Sequence, residues 1–372
     1  MARPPFDVAI AGGGLAGLAS AWYLNEAGYR VALIDAAQPG RAASWAGGGI
    51  LFPIYPWKYP LPVQRLAQRG RAIYDRFTRN VDAISGIDSE NRRTGLCVLD
   101  ADEIGAGLNW AREYHEPVDT LDCATLARMQ PGLAATPSAL YFPQAAQVRN
   151  PRLCRSLTAA LMARGVEIIS HRRVTGIHEQ QGWFAGFVTD GGIVHAARGV
   201  IACGAWSTVL LQSYCRIPVF PVKGQMILLH GGRDRIGPVL LRGGRYVIPR
   251  RDGRILVGST LEEDAFDTRT DAATAQSLQA SAAGMMPSLA ELSVESQWAG
   301  LRPATQDGCP IIGAVDALPG LYVNTAQYRN GVLCAPASAE VLFQSIDCDA
   351  AAPVAAFDPA RRCTPGVTSK SY

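Results

Sequence analysis

What the 372-residue sequence lacks narrows its class before any motif is read. No Cys-x-x-Cys pair occurs among its nine cysteines, and the odd, scattered count argues against both a secreted disulfide framework and a zinc site. The five histidines (His115, His171, His178, His195, His230) show no ligand spacing and are expected on loops or the surface. Charged residues make up 18% of the chain and the net charge is only +3. With no lysine- or arginine-rich run, the charge gives no case for nucleic acid or an anionic membrane surface. The short clusters at 69–71 and 233–235 read as solvated faces or turns. No internal repeat is present. What remains is 48% hydrophobic, ample core for a globular protein of two interleaved or consecutive domains, with the cytoplasm as the default compartment.

The stretch Phe6 to Asp35 has the pattern strand, glycine turn, helix, strand. Phe6 to Ala11 suits a buried parallel strand, and Gly12, Gly14 and Gly17 follow at G-x-G-x-x-G spacing. In a dinucleotide fold Gly12 permits the tight turn, Gly14 lets the backbone approach a pyrophosphate, and Gly17 lets a helix starting near Leu15 pack closely on the strand. The unpaired N–H groups and positive dipole end of that helix stabilise phosphate charge. Val31 to Ile34 is the second strand, and Asp35 after it is placed to accept from a ribose hydroxyl. A signal peptide or membrane span is the rival reading, because Val8 to Leu24 carries no charge. Three consecutive glycines would break such a helix, and Asp7 stands at its head.

A second small-residue stretch runs from Ala36 to Ile50 and includes Arg41, Ala43, Ser44, Gly47, Gly48 and Gly49. It is too poor in large side chains to make a core element and is expected to be a loop along the pyrophosphate and the redox ring. Phe52 to Pro62 is a proline-aromatic segment that either walls a pocket or serves an interface. Helices are expected over 64–78, 108–116, 122–129, 152–164 and 272–286, with a final one from Gly331 to about Ile346. Gly199 to Ala202 reads as a buried strand returning to the nucleotide sheet before Gly204 and Trp206. Antiparallel strands are expected between 217 and 297, with hairpin turns at Gly243-Gly244 and Asp252-Gly253. A strand over 293–300 precedes re-entry into the first domain.

The fold expected is α/β (α+β): a Rossmann-type domain with a parallel sheet, built from 1–80, 145–215 and 298–352, and a substrate domain with a large antiparallel sheet, built from 81–144 and 216–297. The tail 353–372 is expected to be partly disordered. Only one dinucleotide fingerprint exists, and no arginine follows Asp35 to read a 2′-phosphate. A second, nicotinamide-binding domain is therefore not expected, and electrons must come from the substrate.

Three stretches carry a family resemblance: Ser44 to Ile50; Arg245 to Glu263, which reads RYVIPRRDGRILVGSTLEE; and Trp298 to Gly308, followed by Tyr328-Arg329-Asn330-Gly331. With these the whole chain resembles the D-amino-acid oxidase-type flavoproteins, and within them the branch that oxidises glycine for thiamine biosynthesis. The resemblance implies non-covalent FAD, because no cysteine stands at the linkage position used by flavin-linked relatives; Cys309 lies on the far side. It implies cofactor contacts from Gly12, Gly14, Leu15, Gly17, Ile34, Asp35, Arg41, Ala43, Ser44, Gly47, Gly48, Gly49, Val174, Gly204, Trp206, Arg302, Arg329, Asn330, Gly331, Val332 and Leu333. It places Arg302 on the substrate carboxylate through its two-pronged guanidinium, with Tyr246, Arg329 and Leu261 lining the pocket. Glycine is the main expected substrate, with sarcosine and small D-amino acids behind it and O2 as acceptor, giving imine and hydrogen peroxide. A homotetramer without nucleic-acid or membrane partners is expected. No general base is required, since a neutral α-amine can lose its α-hydrogen as hydride to flavin N5. Rival readings are a D-amino-acid dehydrogenase or cyanide-forming glycine dehydrogenase passing electrons to a quinone, and a non-catalytic FAD-binding subunit, against which Arg302 argues.

Overall fold

The computed structural model describes residues 5–231, 236–263, 266–347, 354–361 and 364–365; the cluster at 233–235 lies outside them. Strand β1 (Phe6–Ala11), helix α1 (Leu15–Glu26) and strand β2 (Val31–Ile34) form where the sequence places them. β1 lies parallel between β2 and the strand Gly192–Ile201, and Glu167–Ile169 and Leu321–Thr325 extend the parallel sheet on either side. All four residues of β2 are buried, as expected for strands covered on both faces. The strand Gly192–Ile201 pairs with three described strands, the third being Leu321–Thr325. Its first half pairs antiparallel with Trp183–Thr189, and its second half pairs parallel with β1.

Helix α1 is apolar around most of its circumference because it is covered by the sheet on one side and by helices on the other. Helix α3 (Leu61–Ser85) buries Val63, Leu66, Ala67, Gly70, Ile73, Tyr74, Phe77 and Val81, a helical stripe that packs against the final helix Gly331–Asp347. It is longer at both ends than the sequence pattern suggests, with Pro60 as its N-cap and Gly86 closing it in the left-handed conformation at φ 70°. At Gly70 the helices nearly touch: a Cβ there would stand 2.3 Å from the carbonyl oxygen of Leu333.

The second sheet has nine strands. Phe220–Leu229 pairs antiparallel with Ile255–Gly258 and with Val294–Ala304 along nearly its whole length. Gly243 and Gly244, at φ 56° and 73°, make the two-residue turn between Val239–Arg242 and Arg245–Pro249. Two features differ from the sequence reading. The strand expected over 293–300 runs on to Ala304, so Arg302 belongs to the large sheet. The region 81–144 supplies strands Leu96–Val98, Asp119–Asp122 and Ser138–Phe142 to the same sheet, which its weak alternation did not signal. Where the tail is described, Phe357 is buried in the same core as the final helix. Cys215 is disulfide-bonded, whereas Cys97, Cys123, Cys154, Cys203 and Cys334 are free thiols. No described helix is long and apolar enough to cross a membrane.

The approach at Gly70 makes a prediction opposite to helix propensity. Ala is favoured over Gly in a helix interior by roughly 1 kcal/mol, but overpacking typically costs about 1–3 kcal/mol. Gly70→Ala is therefore expected to lower the midpoint of thermal unfolding; a rise would show that the contact with the final helix yields without cost.

Candidate active site

At the nucleotide turn the glycines are required by contact. Gly12 has φ +104°, and a Cβ on it would lie 2.4 Å from the Ala202 carbonyl oxygen. A Cβ on Gly17 would lie 1.9 Å from the carbonyl oxygen of Gly12, so only glycine lets α1 sit this close to the end of β1. Gly14 is the N-cap and offers no side-chain cap; the N–H of Leu15 donates instead to Ser44 Oγ at 2.8 Å. Asp35 has a structural share that its motif position did not reveal. Its Oδ2 accepts from the N–H of Gly13 at 2.7 Å and its Oδ1 from the N–H of Ala37 at 2.8 Å. Burial pushes its carboxyl pKa up, against the opposing pull of those two N–H groups.

The second glycine stretch is not wholly a loop, because Ala43–Ala46 closes into a single helical turn, α2. Gly47, Gly48 and Gly49 follow it into the seam between the two sheets. A Cβ on Gly48 would meet Ile248 at 2.9 Å and the Tyr246 ring at 3.1 Å; one on Gly49, at φ +75°, would meet the Val148 carbonyl oxygen at 2.1 Å. Two buried polar residues fasten the segment. Asn150 Nδ2 donates to the Ser44 carbonyl at 2.9 Å, and Arg250 donates to the carbonyl of Gly48 at 2.8 Å, to Gln147 Oε1 at 2.9 Å and to the Val148 carbonyl at 3.2 Å. Burial brings the Arg250 guanidinium down to about 10, still charged at neutral pH.

A cavity of about 740 Å³ opens along these elements. Of the sequence-predicted residues it is lined by Gly12, Gly14, Leu15, Ile34, Asp35, Ala43, Ser44, Gly47, Gly48, Gly49, Val174, Gly204, Trp206, Tyr246, Arg302, Arg329, Asn330, Gly331 and Val332. Four others lie outside its lining. Gly17 sits beneath the turn, Arg41 is exposed ahead of α2, Leu261 is 51% exposed, and Leu333 is buried in the helical core. The lining also includes residues that sequence reasoning did not select, among them Phe52, Ile54, Arg172, Arg173 and Gly224. Phe52 and Ile54 show that the proline-aromatic segment walls this cavity. Its Tyr55 Oη donates to Asp100 Oδ2 at 2.6 Å and accepts from the N–H of Gly244 at 3.1 Å, which ties the segment to the turn beside Arg329.

Arg302 lies at the end of the cavity formed by the large sheet. Its Nη2 donates to Ser259 Oγ at 2.6 Å and its Nη1 to the carbonyl of Thr260 at 3.3 Å. The guanidinium lies against the backbone of Gly224, where a Cβ would stand 2.2 Å from both Nη atoms. Burial lowers its pKa from the usual arginine value, and the nearby positive charge of Arg329 adds to this. Arg329 Nη2 has the Gly244 carbonyl at 3.5 Å. Among the described residues no carboxylate stands within ion-pair distance of either arginine.

Such a site, with a helix N-terminus and side-chain-free backbone at one end and a guanidinium without a described carboxylate partner at the other, belongs to a dinucleotide-dependent oxidoreductase. The chain belongs to the FAD dependent oxidoreductase family (DAO), which it matches over residues 7–345. It is 42% identical to a glycine oxidase of Pseudomonas aeruginosa over 90% of this chain and 93% of that protein, and 40% identical to one of Pseudomonas putida over the same shares. The crystal structure of glycine oxidase from Geobacillus kaustophilus superposes with a TM-score of 0.88 at 28% identity, covering 99% of both chains. The cofactor is FAD, and the glycine cradle fits it.

The double role of Asp35 sets the next expectation. Asp35→Ala leaves the half-buried N–H of Gly13 without its acceptor, a loss of about 1 kcal/mol or more, and with the ribose acceptor also removed is expected to weaken FAD binding by tenfold or more. Fluorescence titration of apoprotein with FAD measures this; an unchanged Kd would mean that the turn holds its shape without the carboxylate.

Proposed function

We propose that the protein oxidises glycine, with sarcosine and small D-amino acids as secondary substrates, using O2 as acceptor and releasing hydrogen peroxide. The observation that carries this reading is the Arg302 guanidinium, which lines the cavity with only neutral acceptors. A buried cation of this kind is stabilised by an incoming carboxylate, and the planar fork matches both carboxylate oxygens. Names of relatives at 40–42% identity support glycine as the substrate.

Bound FAD supplies the two-electron acceptor for the α-hydrogen. The backbone at Gly14 and the N-terminal turn of α1 would hold its pyrophosphate, the Asp35 carboxylate would take its ribose, and Arg329 to Val332 would border its redox end. Arg302 fixes the substrate carboxylate, and Tyr246, held by Gly48 and Gly258 packing on its ring, closes the pocket beside it. Orientation then does the work of a base, and the rate rises with pH as the substrate amine loses its proton. The product imine is assigned to thiamine biosynthesis on family resemblance, with a cytoplasmic homotetramer as the working form. A dehydrogenase passing electrons to a quinone is the second reading, which peroxide yield under air separates.

Truncating one partner of a buried charge pair typically costs about 2–5 kcal/mol. Arg302→Ala is therefore expected to lower kcat/KM for glycine by roughly 30-fold to several thousand-fold, with FAD still bound. Arg302→Lys should recover only part of the loss, because a point charge cannot make the fork contact. Steady-state kinetics on the two variants check this; full activity in Arg302→Lys would sink the two-pronged contact.

A further inference from the structure

Two of the groups that hold Arg302, Ser259 and Thr260, are not themselves fixed by the cavity. Ser259 and Thr260 follow the strand Ile255–Gly258, and the short strand Glu262–Glu263 begins one residue beyond them, after Leu261. What holds this segment lies on the opposite side of the sheet from the cavity. Thr260 is buried, with its carbonyl turned to Arg302 and its hydroxyl turned away. That hydroxyl accepts from the backbone N–H of Gln225 at 2.8 Å and donates to Glu262 Oε1 at 2.5 Å. Glu262 is held in turn by Gln225 Nε2 at 3.1 Å and by Lys223 Nζ at 3.4 Å. Gln225 Nε2 also reaches Asp271 Oδ2 at 3.1 Å, and Asp271 caps the helix Ala272–Met285 through the N–H of Thr274.

We infer that Glu262, which does not line the cavity, is a positioning residue for the substrate anchor: it orients the Thr260 hydroxyl, and thereby the Thr260 carbonyl and Ser259 hydroxyl that hold the Arg302 guanidinium. The inference rests on the reading of Arg302 as carboxylate anchor and adds what sets its aim. Two observations make the aim narrow. Gly224 walls one side of the guanidinium at a distance that admits no side chain, so Arg302 cannot adjust in that direction. Two of its acceptors sit on consecutive residues, so a shift of that one segment moves both together, while Tyr246 hydrogen-bonds it from another strand. A misplacement of about 1 Å transmitted from outside a site can cost on the order of 100-fold. Glu262 itself stands in a charge-assisted cluster, where burial favours the neutral acid but the Thr260 and Gln225 hydrogen bonds and Lys223 prevail and keep it ionised.

The test is a double-mutant cycle on FAD-loaded protein, read as the Kd of acetate from its perturbation of the flavin absorption band and as kcat and KM for glycine. Glu262→Ala is expected to weaken acetate binding and raise KM by roughly tenfold or more, with kcat changed by less than about threefold. Thr260→Val should behave alike and Thr260→Ser should restore binding, while FAD content and unfolding midpoint, measured alongside, show that the variants are folded. In an Arg302→Ala background, Glu262→Ala should have no further effect on acetate. Unchanged acetate binding in Glu262→Ala, or an equal loss in the Arg302→Ala background, would overturn the positioning role while leaving the anchor standing. Acetate binding unaffected by Arg302→Ala alone would instead remove the anchor, and this inference with it.

Discussion

The structure depends on one close approach, the passage of the Gly47–Gly49 backbone between the nucleotide sheet and the large sheet. Tyr246 and Ile248 press on it from one side, Val148 and Asn150 from the other, and no side chain would fit between them. A backbone placed there needs partners for its polar groups, and Arg250 supplies them from full burial through the Gly48 carbonyl. Burying that charge is costly unless its hydrogen bonds are satisfied, and the three described acceptors around it are neutral. The same segment carries Ser44, which receives the Leu15 N–H, so the shape of the phosphate turn and the seam between the sheets are fixed together.

Charge in the cavity is distributed to match an elongated anionic cofactor and a small anionic substrate. Asp35 stands at the glycine-turn end, its oxygens accepting from two backbone N–H groups. Arg302 and Arg329 stand at the other end without a carboxylate partner among the described residues. Leaving a guanidinium unpaired destabilises the empty pocket, and an arriving carboxylate removes that cost. On the proposed reading, binding free energy is thereby placed at the point that orients the α-carbon, which is where it contributes to turnover.

Much of this was legible in the sequence because it is written in local patterns. The glycine fingerprint, the acid after β2, the Gly243-Gly244 turn and the final helix all depend on near neighbours. Arg302 was legible only through family resemblance, since its strand position alone would also suit a solvated arginine. What sequence reasoning missed is non-local. Arg250 acts on a glycine 202 positions away, and the strands within 81–144 are too short to show alternation. Leu261 and Leu333 were placed by adjacency to site residues, yet one turns outward from the sheet and the other faces α3. Arg41 lies just before a helical turn, α2, which small-residue composition did not reveal.

The central claim is that an FAD-bound cavity selects its substrate through the carboxylate held by Arg302. Its most direct test is anaerobic mixing of the purified flavoprotein with glycine and, separately, with methylamine, which has the same amine and no carboxylate. Glycine is expected to bleach the visible flavin band, with colour returning and peroxide appearing on admission of air, while methylamine leaves the band unchanged. Equal bleaching by both amines, or none by glycine, would contradict the account.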